Sequence, residues 1–190
     1  SGVSAESAAS ETRPGINLLD TPCARTAAAI AAQVSNFRQP GDVVVMSLHW
    51  GDNWGYDIPQ AHMTFARALI DADGADLVFG HSSHHPRAME VYREKLILYG
   101  CGDFINDYEG ITGYEAYRSD LVLMYLPWLR QKDGTLEGLR LVPFRIRKFR
   151  LHRADRDEAE WICRVLNREG KRFGSRLYLE SDNSFTLAWD

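Results

Sequence analysis

The sequence predicts an α/β fold of the layered, α+β sandwich type, and three observations carry that prediction. Helix and strand patterns alternate over residues 23–80, as they do in a parallel sheet flanked by helices. Two short apolar runs, "DVVVMSLHW" and "DLVFG", are bounded by turn signals, as buried parallel strands are. Beyond them the pattern changes to short strands joined by hairpins, which predicts a β-rich carboxyl-terminal extension.

Residues 1–22 are small and polar, punctuated by Pro14, Gly15 and Pro22, and read as a linker or disordered lead. The alanine-rich "CARTAAAIAAQVSNF" (23–37) predicts a helix that "RQPGD" closes, with Gly41-Asp42 in a turn. "DVVVMSLHW" follows as a buried strand. "DIPQAHMTFARALIDADGAD" starts with a proline near a helix amino terminus, sets Phe65, Leu69 and Ala72 at helical spacing and stops at Gly74. After "DLVFG", the strands "AMEVY" and "KLILYG" are joined by the two-residue turn Arg93-Glu94, and "DLVLMYLPWL" is a further strand. "DGTLEGLRLVPFRIRKFRL" opens with a hairpin signal and continues as one alternating strand. Its "RIRKFRLHR" segment interleaves basic residues with Ile146, Phe149 and Leu151, the pattern of an amphipathic strand with a solvated face. A helix over 155–169 has Asp155 to cap it, acids in its first turn and bases in its last. "RLYLESDNSFTLAWD" closes as a hairpin. The organisation expected is a lead (1–22), a main body (23–150) and a helix-and-hairpin extension of the same domain (151–190).

With 190 residues, 45% apolar and 25% charged, the chain has room for a sizeable core. A net charge of −4 gives no basic footprint for nucleic acid and no polybasic membrane patch; "RIRKFRLHR" is a local exception to that charge balance. Cys23, Cys101 and Cys163 are odd in number and widely spaced, so neither a zinc ribbon nor a disulfide framework is indicated. Cys101 reads as a small buried hydrophobe. No signal peptide and no apolar stretch of membrane-spanning length are seen, which predicts a soluble chain; the compartment is open, with the cytoplasm favoured.

Four histidines carry the chemistry. His49 lies at the end of the first strand, just before "WGDNWG"; His81, His84 and His85 follow the second. In a parallel α/β sheet both positions fall at the carboxyl edge, where ligands bind. Three imidazoles delivered there suit a divalent metal such as zinc, iron or manganese. Gly80 lets the chain turn off the strand, while Ser82 and Ser83 offer hydroxyls and N–H groups to an anion. His85 is either a substrate contact or an extended loop residue before Pro86. Asp52, Asn53 and Asp103 are further candidates for the site, and Asn106 and Asp107 for its border. Trp50, Trp54 and Tyr56 either wall a substrate cleft or pack the core and anchor the loop. His62 and His152 read as structural or surface residues.

The stretch "HWGDNWGYDIP…FARALIDADGADLVFGHSSHHPRAMEVYREKLILYGCGDFIND" resembles the carboxyl-terminal half of the bacterial capsule-synthesis CapA (PGA_cap) family. The resemblance is strong over residues 43–107 and looser to about 150. It implies a calcineurin-like metallophosphoesterase fold, a layered sheet flanked by helices, and an association with capsule and poly-γ-glutamate synthesis. Relatives carry Gly-His-x-Pro-His where this chain has Gly80-His81-Ser82-Ser83-His84, so Ser83 replaces the proline while the imidazole spacing is kept. By the same resemblance His49, His81 and His84 are metal ligands and catalytic residues. Trp50, Asp52, Asn53, Trp54, Ser82, Ser83, His85 and Asp103 would then border a phosphoester or anionic polymer substrate.

That fold takes its bridging aspartate, its Asp-x-His and its Asn-His pair from an amino-terminal half that has no counterpart in this sequence. The chain is therefore expected to be the second half of an otherwise incomplete domain, with up to two metals in the whole. Two functions follow: a metal-dependent hydrolase of the phosphoesterase type, or a non-enzymatic polymer-handling or assembly protein that keeps a vestigial metal cleft. A third option is an anion pocket lined by histidines without metal.

Overall fold

In the computed structural model, which describes residues 5–19, 21–106 and 111–190, the alternating segment builds one sheet and the hairpins build a second. The first half runs α1 (Ala24–Ser35), β1 (Val45–His49), α2 (Gln60–Asp71), β2 (Leu77–His81), β3 (Met89–Tyr92) and β4 (Lys95–Leu98). The second runs β5 (Leu121–Leu129), β6 (Leu136–Arg147), β7 (Arg150–Arg153), α3 (Arg156–Gly170), β8 (Ser175–Leu179) and β9 (Phe185–Trp189).

The first sheet has the order β1-β2-β4-β3, with β1, β2 and β4 parallel and β3 antiparallel. Helix α2 earns its helical register from Phe65, Ala66, Leu69 and Ile70, all buried. With Ala27 of α1 they cover one face of this sheet, meeting Leu48, Val78 and Ile97. The other face supplies Leu77, Leu96 and Leu98 to a second core shared with Leu121, Leu139, Leu141, Phe185 and Leu187 of the hairpin sheet. That sheet has the order β5-β6-β9-β8, with β7 paired to β6. Helix α3 closes the same core with Ala159, Ile162 and Leu166. Its capping box is complete: Glu158 N donates to Asp155 Oδ1 (2.9 Å) and Asp155 N to Glu158 Oε2 (3.1 Å).

The Arg93-Glu94 turn forms as the spacing predicts, with both residues in the left-handed region that two-residue hairpins require (φ 48° and 61°). Gly41 also turns, at φ 90°. Two expectations change. The strand "DVVVMSLHW" is parallel but not buried throughout: β1 has one strand neighbour among the described residues, and Val45 is 56% exposed. The alternating run through "RIRKFRL" is not one strand, because Lys148 and Phe149 turn the chain back at φ 53° and 55°. Alternation alone cannot reveal such a turn, since β7 resumes the same pattern on the return.

In the lead, residues 5–19 carry a one-turn 3-10 segment (Ala5–Ser7) and a loop in which Ala9 N donates to Ile16 O (2.9 Å). All three cysteines are free, and Cys101 is buried, which raises its thiol pKa. Among the described residues no helix is long and apolar enough to cross a membrane.

The amino-terminal edge of the parallel strands is closed by ion pairs. Asp76, just before β2, is 1% exposed and accepts from Arg38 Nη2 (2.7 Å), Lys95 Nζ (2.7 Å) and Val44 N (2.9 Å). Burial pushes the Asp76 pKa up, but the bond from Lys95, with those from Val44 and Arg38, outweighs it and holds the carboxyl below its usual range.

Candidate functional site

At the opposite, carboxyl edge, β1 and β2 each end on a histidine, and the parallel register sets His49 directly beside His81. Partners in a parallel pair project to one face, so the imidazoles meet, Nδ1 to Nδ1, at 3.3 Å. Ser47 Oγ lies 3.2 Å from His81 Nε2 and fixes that ring from below. Burial, and then the neighbouring His49, lowers the His81 pKa and so favours the neutral ring. The backbone here has no room for a side chain at Gly80, whose added Cβ would lie 2.4 Å from Trp50 Nε1 and 2.7 Å from Leu98 O.

Beyond β2 the chain makes a tight turn at Ser82, φ 125°, a region that side chains rarely enter. This turn is tied to the loop after β1: Ser82 Oγ is 3.2 Å from both Gly51 O and Asn53 Oδ1, and His84 N donates to Asn53 O (3.0 Å). His84 Nδ1 is 2.8 Å from Asp103 Oδ2, an aspartate on the loop after β4. Nδ1–H donated to that carboxylate would fix the tautomer and the orientation of the ring. Asp103 was expected as a substrate contact; its position also makes it the group that orients His84.

The remaining candidates separate into core and rim. Trp50 is 7% exposed, stacks on His62 at 4.7 Å and donates to Tyr99 O, so it packs the core. Ser83 is buried, its hydroxyl donating to His85 O. His85 is fully buried among Trp54, Tyr56 and Tyr117, and burial drives its pKa down to about 4. Trp54 is half-buried, stacked flat on Tyr114 at 4.2 Å and tilted toward His84 at 5.3 Å. Asp52 lends its backbone carbonyl to Arg87, whose Nη2 donates there at 2.6 Å and to Trp54 O at 3.3 Å. Asn106 falls within the described residues, and Asp107 lies outside them.

Arg87 is the residue that the sequence reading missed. It is buried, and its Nη1 also reaches Asp57 O (3.5 Å), so it braces the whole 52–57 loop across from His84. A lone arginine inside the apolar run "PRAMEVY" was the available signal, since a buried guanidinium needs a cluster of acceptors.

The donor set fits part of a metal shell. Two nitrogens bound to one tetrahedral zinc at about 2.0–2.1 Å lie roughly 3.3 Å apart, and the His49 and His81 Nδ1 atoms have that separation. Binding through Nδ1 leaves His81 Nε2–H to donate to Ser47, the outer contact that orients metal-ligating imidazoles. His84 forms its own pair with Asp103, and no group of three His, Cys, Asp or Glu side chains converges as a metal site among the described residues.

This geometry defines a class: a layered α/β protein whose candidate site is a histidine–aspartate cluster at the carboxyl edge of a short parallel sheet. Residues 1–108 match the family described as "Bacterial capsule synthesis protein PGA_cap". The chain belongs to that family. It is similar to a probable polyglutamine synthesis accessory protein of Mycobacterium tuberculosis, 47% identical over 184 residues, spanning 96% of this chain and 48% of the relative. It is also similar to the PGA biosynthesis protein CapA of Bacillus subtilis, 32% identical over 102 residues (54% of this chain, 25% of that protein). A third relative is the capsule biosynthesis protein CapA of Bacillus anthracis, 28% identical over 120 residues (61% and 27%). The chain thus spans about half the length of the mycobacterial relative.

Proposed function

We propose that this chain supplies the histidine side of a metal-dependent hydrolase of the phosphoesterase type, acting in capsule or poly-γ-glutamate metabolism. The observation that carries the reading is the His49–His81 pair, two imidazoles set 3.3 Å apart by strand register at a ligand-binding edge. His49 and His81 would hold a divalent ion (manganese, iron or zinc), with His84 as a further ligand or a proton donor to the leaving group. Such a metal supplies a nucleophilic hydroxide and polarises the bond to be cut. Asp103 orients His84. Trp54 borders the substrate, an anionic phosphoester or polymer, and Ser82, Asn53 and Arg87 hold the two loops together around it. The carboxylates that would complete one or two metal sites come, in this reading, from a further part of a longer protein. The open edge of β1 is where that part would lie, since β1 pairs with β2 alone among the described residues.

A second reading, a polymer-handling or assembly protein without catalysis, is favoured by one observation: His84 is engaged by Asp103 rather than converging with His49 and His81. Elemental analysis separates the two when paired with hydrolysis of a simple aryl phosphate. It should be run on the longer protein, its H49A and H81A variants, and this chain. Bound divalent metal lost in both variants together with hydrolysis supports the hydrolase. Metal without hydrolysis leaves the assembly reading, and no metal removes both in favour of an anion pocket.

A further inference from the structure

We infer that the β6–β7 hairpin tip is a docking element for an anionic membrane surface. This goes beyond the hydrolase reading and does not depend on it.

The tip is built against local preference. A two-residue hairpin turn with both residues left-handed is ordinarily Asn-Gly or Asp-Gly, yet here it is Lys148-Phe149 at φ 53° and 55°. The turn throws Phe149 into solvent, 66% exposed, although the chain has two cores that take such rings. The Arg93-Glu94 turn has the same backbone, but it sets no aromatic ring in solvent. An exposed ring between two exposed cations is the feature that calls for a partner.

The charges around the ring point to the partner. Arg147 and Arg150 face each other across the mouth of the turn, both exposed, and neither joins an ion pair among the described residues. Arg145, the next basic residue inward, is by contrast taken up by Glu158 (2.8 Å) and Asp120 (3.3 Å). The hairpin is also held at its root: Ile146 N donates to Asp120 O (2.7 Å), and Phe144 packs edge-on against Phe104. The result is a rigid prong with an aromatic point and a basic collar. At an anionic bilayer the ring reaches the boundary between headgroups and acyl chains, while the guanidinium groups stay among the phosphates. A polycarboxylate chain would satisfy the arginines but would give the ring no apolar environment, so the lipid surface is the better match. The net charge of −4 opposes approach only weakly at physiological salt, where charges beyond about 8 Å are screened from the surface.

The test is co-sedimentation with vesicles of phosphatidylcholine, with and without phosphatidylglycerol, over a salt series. Binding is expected only with phosphatidylglycerol and should weaken as salt rises. R147Q/R150Q is expected to reduce it by roughly 25-fold. R25Q/R164Q, which changes net charge equally on exposed helix positions, should leave it within about two-fold. F149A should weaken binding, and the added emission of F149W should shift to the blue on vesicle addition. Thermal melts of each variant confirm the fold. Absence of vesicle binding overturns the inference, as does binding that F149A and R147Q/R150Q leave intact. Retention by soluble polyglutamate without vesicle binding, insensitive to F149A, would also overturn it and assign the arginines to a polymer.

Discussion

Strand β2 begins after one ionisable cluster and ends on another. At its start, Asp76 is sealed from water with two cations and a backbone N–H around it, so both oxygens are used. At its end, His81 meets His49 Nδ1 to Nδ1 at 3.3 Å and Ser47 Oγ at its other nitrogen at 3.2 Å. His84 and Asp103 pair along one edge of the imidazole, 2.8 Å apart. The amino-terminal cluster is sealed around one buried carboxylate by fixed charges, whereas the carboxyl-terminal one is a set of imidazoles open to solvent at a strand edge.

The contrast can be broken most severely at Asp76. D76A leaves Arg38 and Lys95 beside an empty, buried acceptor site, and a loss of about 3–5 kcal/mol is expected in chemical denaturation. Its pKa is depressed in the fold, so the Asp76 contribution is complete above the unfolded carboxylate value and fades as pH falls below about 4. The next largest effect belongs to His85. Its pKa is about 4 in the fold against 6.5 unfolded, so the unfolded chain binds the proton first. Stability is then full above pH 6.5 and falls by on the order of 3 kcal/mol as pH drops toward 4. H85F should flatten that part of the melting-pH curve relative to the parent protein. G80A forces a Cβ into Trp50 and two carbonyls, with an expected cost of about 1–3 kcal/mol and a displaced His81.

Two smaller changes sharpen the contrast. D103N removes the charge that orients His84 and should lower metal affinity or hydrolysis by about 10- to 100-fold with little change in melting temperature. H49A lies at an exposed strand end and should alter stability by no more than about 0.5 kcal/mol while abolishing the imidazole pair. If H49A destabilises as strongly as D76A, the two ends of the strand are both structural and the functional reading of His49 falls.

Much of this was legible from the sequence, for identifiable reasons. The alternation of helix and strand periods placed α1, β1, α2 and β2, and the spacing of His49 and His81 from their strand starts put both at one edge. The Arg93-Glu94 turn and the Asp155–Glu158 capping box depend on nearest neighbours and were equally visible. What escaped depends on contacts remote in the chain. Arg87 reaches carbonyls 30 or more residues upstream, and Asp103 meets a histidine 19 residues earlier, on the loop after β2. Trp50 was open between cleft and core, and its burial, its stacking on His62 and its bond to Tyr99 O decide for the core. The turn at Lys148-Phe149 escaped for another reason: strand alternation resumes unbroken on the return.

The pairing of Val45 through His49 with Leu77 through His81 also limits how this gene can change in length. Side chains alternate faces, so a codon gained or lost inside either strand would send one histidine to the helix-covered side and separate the pair. The same codon added between residues 50 and 59, or between the two sheets, would leave the pair untouched. Length variation among natural versions of this chain should therefore crowd into the loops and stop abruptly at those ten paired positions.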